Sequence, residues 1–262
     1  MKGSFDDLVG EALVAPFRGW DFSWLRGRSR TWPLPWDYCH VVHDAARGAG
    51  ALLDMGTGGG EVLSRIDGLP RSTVATESWA PNVPVARTRL RPLGIPVVHD
   101  TGAPGNIDQP AGHERLPFRD DVFDVVANRH ESFVATEVAR VLRAGGRFVT
   151  QQVDCHTYDG FRAALGLPVV HEHSSWLPVA SHQTTAAGLV TLTAVEGAER
   201  ERFDDVGALV YYLRVVSWAI PEFSVDRCEP ALRALHDRMQ VEALVVEQQR
   251  FLLVAEKPRM AS

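Results

Sequence analysis

The chain has 262 residues, a formal net charge of −6 at pH 7, and 45% hydrophobic residues. That length fits one α/β domain with additions or two small domains, and the apolar content is too high for a disordered chain. The acidity disfavours a general nucleic-acid binder, which carries a basic face. Arg87, Arg89 and Arg91 lie close together, but alternate positions on a helix point different ways.

Cys39, Cys155 and Cys228 are far apart and odd in number, which suits a reducing cytosol and not a disulfide framework. No apolar run approaches the ~20 residues of a membrane span. The first residues, with Asp6, Asp7 and Glu11, lack the charge pattern of a signal peptide. A cytoplasmic protein is expected.

Residues 1–48 are rich in aromatics. Trp20, Trp24, Trp32 and Trp36 are joined by Phe17, Phe22 and Tyr38, with Arg18, Arg26, Arg28 and Arg30 interleaved. Pro33 and Pro35 break regular structure there. The plain reading is an aromatic cap over one end of a sheet. The functional reading is a lid, because aromatic faces hold cations and flat molecules. Tyr38 to Ala46 reads as a short helix leading into the first strand of that sheet.

That strand ends Leu52-Leu53-Asp54-Met55, and Gly56-Thr57-Gly58-Gly59-Gly60-Glu61 follows. Val62, Leu63 and Ile66 are spaced as one face of a helix. Strand, glycine turn and helix open a nucleotide-binding α/β sheet. Glycine permits positive φ and close approach of a ligand. A dinucleotide fingerprint wants a third glycine where Glu61 stands, so a nicotinamide enzyme is disfavoured.

The second strand, Thr73 to Thr76, ends at Glu77, an acid placed to accept hydrogen bonds from ribose hydroxyls. Ser78 and Trp79 follow, and Trp79 is placed to flank a base. Pro81 precedes a helix whose buried face is Val83, Ala86 and Leu90. Ile95 to Val98 is the third strand, ending His99-Asp100. A long Gly/Pro/Asp/Asn loop comes next. Leu116-Pro117-Phe118 then leads into a fourth strand, Phe123-Asp124-Val125-Val126, ending Ala127-Asn128-Arg129-His130-Glu131. Phe133 to Leu142 reads as a helix stopped by Gly145 and Gly146. Arg147 to Val153 is the fifth strand.

Three blocks carry a resemblance: the acid and alternating glycines at Asp54, Gly56, Gly58 and Gly60; "LPF" followed by "FDVV"; and "EVARVLRAGGRFV". In this order over roughly residues 50–153, the chain resembles the class I S-adenosylmethionine-dependent methyltransferases, of the small-molecule type. The resemblance implies an α/β, Rossmann-like seven-stranded sheet flanked by helices, its strands six and seven forming an antiparallel edge hairpin. The rest of the chain fits as additions. Ser181 to Gly188 reads as a helix and Leu189 to Val195 as an edge-like strand. Phe203 to Ile220 and Pro230 to Met239 read as two helices, and Arg250 to Ala255 as the last strand. The expected division is a cap or lid over 1–48 and a methyltransferase domain over 49–262, with a helical insert at about 203–240 between strands six and seven.

The resemblance implies S-adenosyl-L-methionine as cofactor. Asp54, Gly56, Thr57 and Gly58 would meet its amino-acid end, Glu77 its ribose, Trp79 its adenine and Asn128 its methionine part, with Gly60, Ser78 and Arg129 as further cofactor-binding candidates; Arg129 is set against binding an acidic acceptor or capping the sheet. The family's usual acid for the adenine N6 is replaced by Gly112, so Glu114, Asp100 or a backbone carbonyl would substitute. Methyl transfer is an in-line displacement, and a hydroxyl or protonated amine acceptor needs a base. His130 is the candidate base, set against a role in shaping the pocket. Trp24, Gln152 and Tyr212 are candidates for the acceptor's pocket, with Asp154 beside Gln152. His171-Glu172-His173 with His156 invites a metal, but the chain's 10 histidines are scattered and no cysteine pair accompanies them, so no metal is expected. The expected enzyme methylates an O, N or C atom of a small organic acceptor, with secondary metabolism as one setting, without nucleic acid or membrane as partner. The alternatives are a methyltransferase acting on RNA or protein, and a cofactor-binding regulator without turnover.

Overall fold

The computed structural model describes residues 3–18, 20–100, 115–169 and 174–259. They fall into two compact units. The first holds residues 1–34, 155–174 and 198–249; the second holds 35–154, 175–197 and 250–262. None of the described helices is long and apolar enough to cross a membrane.

In the first unit, α1 (Phe5–Val14) starts at Ser4, whose side chain accepts from the Asp7 N–H. Strand β1 (Ser29–Trp32), four residues long, ends where Pro33 stands, and neither it nor α1 is among the elements expected from the sequence. Helix α5 (Asp159–Ala164), helix α7 (Val206–Val215) and helix α8 (Val225–Met239) complete the unit's helices. The long helix read over Phe203 to Ile220 is shorter because Asp205 caps it, accepting from the Ala208 N–H. The last helix begins at Val225, not Pro230, because Ser224 caps it. Strands β7 (Val190–Phe203) and β8 (Leu244–Glu256) run through both units. In the first unit the strand order is β1-β7-β8, and Ser29 pairs antiparallel with Phe203. The core there is made by Phe5, Leu8, Phe161, Leu209, Tyr211 and Leu232 among others.

The second unit carries β2 (Ala51–Met55), β3 (Ser72–Glu77), β4 (Val97–His99), β5 (Phe123–Arg129) and β6 (Leu142–Val153). Its strand order is β7-β8-β6-β5-β2-β3-β4, with β2, β3, β4, β5 and β6 parallel and β8 antiparallel to β6. The helices are α2 (Tyr38–Ala46), α3 (Val83–Leu90), α4 (Ala135–Val141) and α6 (Leu177–Ala186). Central parallel strands are covered on both faces, and their apolar runs divide accordingly. Leu52, Val125, Ala127 and Val149 enter one core; Leu53, Val126 and Phe148 enter the other.

Among the described residues the sheet has eight strands and not the expected seven, because β1 adds to β7 and takes the edge position. A second correction concerns the helix expected after the glycine turn. Only a single 3-10 turn forms, Leu63–Arg65. Ile66 turns extended, and Gly68 adopts φ +70 just before Pro70. Leu63 and Ile66 are still buried, so their spacing reported burial and not helix length.

Candidate functional site

The site grows from the carboxyl end of β2. The Thr57 N–H donates to the Thr76 carbonyl at 2.9 Å, and the Gly60 N–H to the Thr57 carbonyl at 3.0 Å, so the turn is closed and tied to β3. Gly56 has φ +67, and a Cβ there would collide with the Glu131 side chain. From α3, Arg89 Nε donates to the Gly59 carbonyl at 2.8 Å, and its Nη2 pairs with Glu61 at 3.0 Å. The sequence showed Glu61 only as a misfit to a dinucleotide pattern. Arg89, its partner, had no local signal.

Carboxylates converge on this turn. Glu77 is buried at the end of β3; its Oε2 accepts from the Gly58 N–H at 2.6 Å and its Oε1 from the Trp79 N–H at 2.8 Å. Burial raises its pKa against those two hydrogen bonds. Asp54 is pushed up to about 7 by burial, then by the negative charge of Glu77, with Thr57 and Arg129 opposing. Glu131 is also pushed up to about 7, by burial and by Glu77, while Ser78 Oγ donates to its Oε1 at 3.2 Å. A cleft lies here, lined by Gly56, Thr76, Ser78, Asp100, Leu116 and Glu131. The Leu116 N–H donates to Glu137 at 2.8 Å, and Arg140 holds Glu137 at 2.6 Å, which fixes Leu116 and Glu137 in the cleft's lining.

Asn128, at the end of β5, is fully buried. Its Oδ1 accepts from Thr150 Oγ1 at 2.8 Å and from Gln152 Nε2 at 2.5 Å, and Gln152 also donates to the Glu131 carbonyl at 3.0 Å. Among the described residues the Asn128 Nδ2 has no hydrogen-bond partner. A buried unsatisfied donor costs about 1–3 kcal/mol, a cost that a bound acceptor group relieves.

His130 sits in the left-handed region, φ +59, with its N–H donating to the Gln151 carbonyl at 2.9 Å. Its Nε2 lies 3.1 Å from Gln151 Nε2, and Gln151 Oε1 accepts from Trp36 Nε1 at 2.8 Å. The protein packed about the ring, then the charges of Arg129 and Arg250, holds the imidazole pKa well below its usual value.

Residues 53–150 match the family described as a methyltransferase domain. Over that stretch the chain is similar to a methyltransferase domain. The solved structures with its fold include the YcgJ protein of Bacillus subtilis, at 17% identity and TM-score 0.54 over 85% of this chain and 98% of that one. They also include the protein BH2331 of Bacillus halodurans C-125, at 18% identity and TM-score 0.53 over 85% and 99%. A third, from Deinococcus radiodurans R1, has 13% identity and TM-score 0.53 over 87% and 91%. No curated protein matches the chain in sequence.

Asp54, Gly56, Thr57, Gly58, Gly60, Glu77, Ser78, Asn128, Arg129 and His130 fall within the matched residues 53–150, and Gln152 lies two residues beyond them. Trp79 falls within them too, with most of its surface exposed. Trp24 and Tyr212 lie in the first unit. Trp24 stacks on Tyr211 at 4.6 Å beneath the Arg28 guanidinium. Tyr212 stacks on Phe161 at 5.2 Å and donates to Gln248 at 2.9 Å. Asp154 accepts from the Trp176 N–H at 2.8 Å, at the entry to α6. Glu114, and His171, Glu172 and His173, lie outside the described residues. His156 bonds to Asp159 at 2.9 Å and to the Ser174 carbonyl at 3.0 Å.

Proposed function

We propose that this methyltransferase uses S-adenosyl-L-methionine to methylate a small organic acceptor. One observation carries the reading. Asp54, Glu77 and Glu131 are packed around a glycine turn with their pKa values raised, and no lysine or arginine of the described residues forms an ion pair with them. A crevice of this kind favours a ligand that brings positive charge. The cofactor supplies, when bound, a sulfonium-activated methyl group and a thioether leaving group.

The protein's own tasks follow from its residues. Asp54 and Glu131 set a negative potential that the ligand's cationic groups relieve. Glu77 already accepts two backbone N–H groups, and a carboxylate has lone pairs left for ribose hydroxyls. Asn128 offers its unpaired Nδ2 to an acceptor on the methionine part. Leu116 and Trp79 flank the adenine. The remaining task is to hold the acceptor atom ~3 Å from the methyl carbon and in line with its bond to sulfur. The chain's acidity and its aromatic additions favour a small acceptor over nucleic acid.

Titration of the pure protein with S-adenosylhomocysteine and, in parallel, NADH tests the cofactor. The expected result is saturable binding of the first alone, lost in Glu77→Ala. Unchanged affinity in that variant removes the ribose role. Tight cofactor binding with no labelled methyl transferred to any metabolite fraction would make the protein a binder and not a catalyst.

A further inference from the structure

An indole N–H is donor only, so Trp36 requires the oxygen of the Gln151 amide. The amide NH2 therefore faces His130, and the ring nitrogen it meets, Nε2, must accept. An imidazole that accepts at Nε2 carries its proton at Nδ1 and is neutral. Gln151 also accepts the His130 N–H through its backbone carbonyl, so one residue fixes both the unusual backbone and the ring. Strain of this kind collects at functional positions.

The only lone pair of the neutral ring is thus engaged, and a base needs that lone pair free. What the ring can present is an N–H. Among the described residues Nδ1 has no hydrogen-bond partner, and His130, just beyond the carboxyl end of β5, keeps part of its surface open to solvent although the protein lies close about its ring. The charged groups acting on it are Arg129 on its own strand and Arg250 from β8, while β6 contributes the uncharged Gln151.

We propose that His130 donates through Nδ1–H to an ionised oxygen of the acceptor molecule, in the positive field of Arg129 and Arg250. The acceptor is then a small carboxylate, phenolate or enolate, and His130 determines specificity and is no proton acceptor. This deepens the methyltransferase reading and rests on it for the identity of the bound molecule.

The test is NMR of the imidazole nitrogens in the full chain, without cofactor, with sodium acetate as probe and acetamide as its uncharged match at constant ionic strength. The expected spectrum at pH 7 is the neutral Nδ1–H tautomer, and acetate, not acetamide, shifts Nδ1 saturably. His130→Asn keeps an N–H donor close to the Nδ1 position and suits the left-handed backbone, so acetate affinity stays within about threefold. His130→Ala weakens it by about tenfold or more. Gln151→Glu places an acceptor against Nε2 and moves the imidazole titration upward towards neutral pH. An imidazolium or Nε2–H tautomer at pH 7, or equal responses to acetate and acetamide, overturns the proposal. S-adenosylhomocysteine affinity is measured separately on every variant. Its absence in the parent protein would remove the cofactor reading, while the tautomer and acetate results still judge His130.

Discussion

Asp205 and Asp54 are each 8% exposed, and their surroundings could hardly differ more. In the first unit, Asp205 receives Arg28 Nη2 at 2.7 Å and Nε at 2.9 Å, and caps α7 through the Ala208 N–H at 2.9 Å. Its charge is answered within the fold, and α1 and α7 pack closely beside it, with Gly207 against the Leu8 carbonyl. In the second unit, Asp54 forms no ion pair among the described residues, and burial, then the charge of Glu77, raises its pKa. The contrast teaches how to tell a structural acid from a binding one. A buried carboxylate with a bidentate arginine stabilises its own element; one left among other carboxylates is, on the proposed reading, the one a ligand completes.

Four changes would sharpen or break that contrast. The largest effect is expected from Gly56→Ala. The new Cβ meets Glu131 and needs a left-handed backbone, so a loss of about 3 kcal/mol is expected, with S-adenosylhomocysteine binding abolished. Urea unfolding and calorimetry read both, and a stable variant that still binds would show the Glu131–Gly56 packing to be irrelevant. Arg28→Met leaves Asp205 unanswered. The pair is partly exposed, so the cost is about 2–3 kcal/mol, below that of a fully buried pair, and cofactor affinity should not change. A variant as stable as the parent would erase the distinction drawn above.

The third change concerns pH. Asp54 and Glu131 are held up to about 7, whereas such acids titrate near 4 when unfolded. Between those values the fold retains protons that the unfolded chain has released. Their contribution to stability is therefore full below about pH 4 and is lost as pH rises through about 7. Asp54→Asn should match the parent at pH 4 and exceed it by about 1–2 kcal/mol at pH 8. Melting curves at the two pH values give the difference, and a variant less stable than the parent at pH 8 contradicts the raised pKa. For the same reason cofactor binding near pH 6.5 should release protons, seen as a buffer-dependent calorimetric heat. The smallest effect belongs to Arg89→Ala. Arg89 is partly exposed in its pairing with Glu61, so stability falls by about 0.5–1 kcal/mol, with cofactor affinity a few-fold weaker. An unchanged affinity would mean that the glycine turn holds its shape without the clamp.

Much of the second unit was readable in advance. Helix α2 occupies the expected Tyr38–Ala46, and α3 buries the expected Val83, Ala86 and Leu90. Strand β3 ends at Glu77 as read. These are local signals: apolar period, glycine position, an acid at a strand end. The first unit was less readable because its pieces are scattered. Residues 1–34 form one unit with 155–174 and 198–249, and no period within any piece announces the others. The 3-10 turn at Leu63–Arg65 was hidden for the opposite reason, since the same apolar spacing serves a buried turn and a helix.

The order of glycine turn, acid-ended strand and buried parallel strands was determined by the amino-acid sequence, because each depends on neighbours a few residues away. Which acids are paired and which way an amide faces was decided only in the folded chain. Arg28 and Asp205 are 177 positions apart, and Trp36 and Gln151 are 115 apart. Hydrogen bonds act over about 3 Å, so distances along the chain of that size carry no electrical meaning until folding brings the groups together.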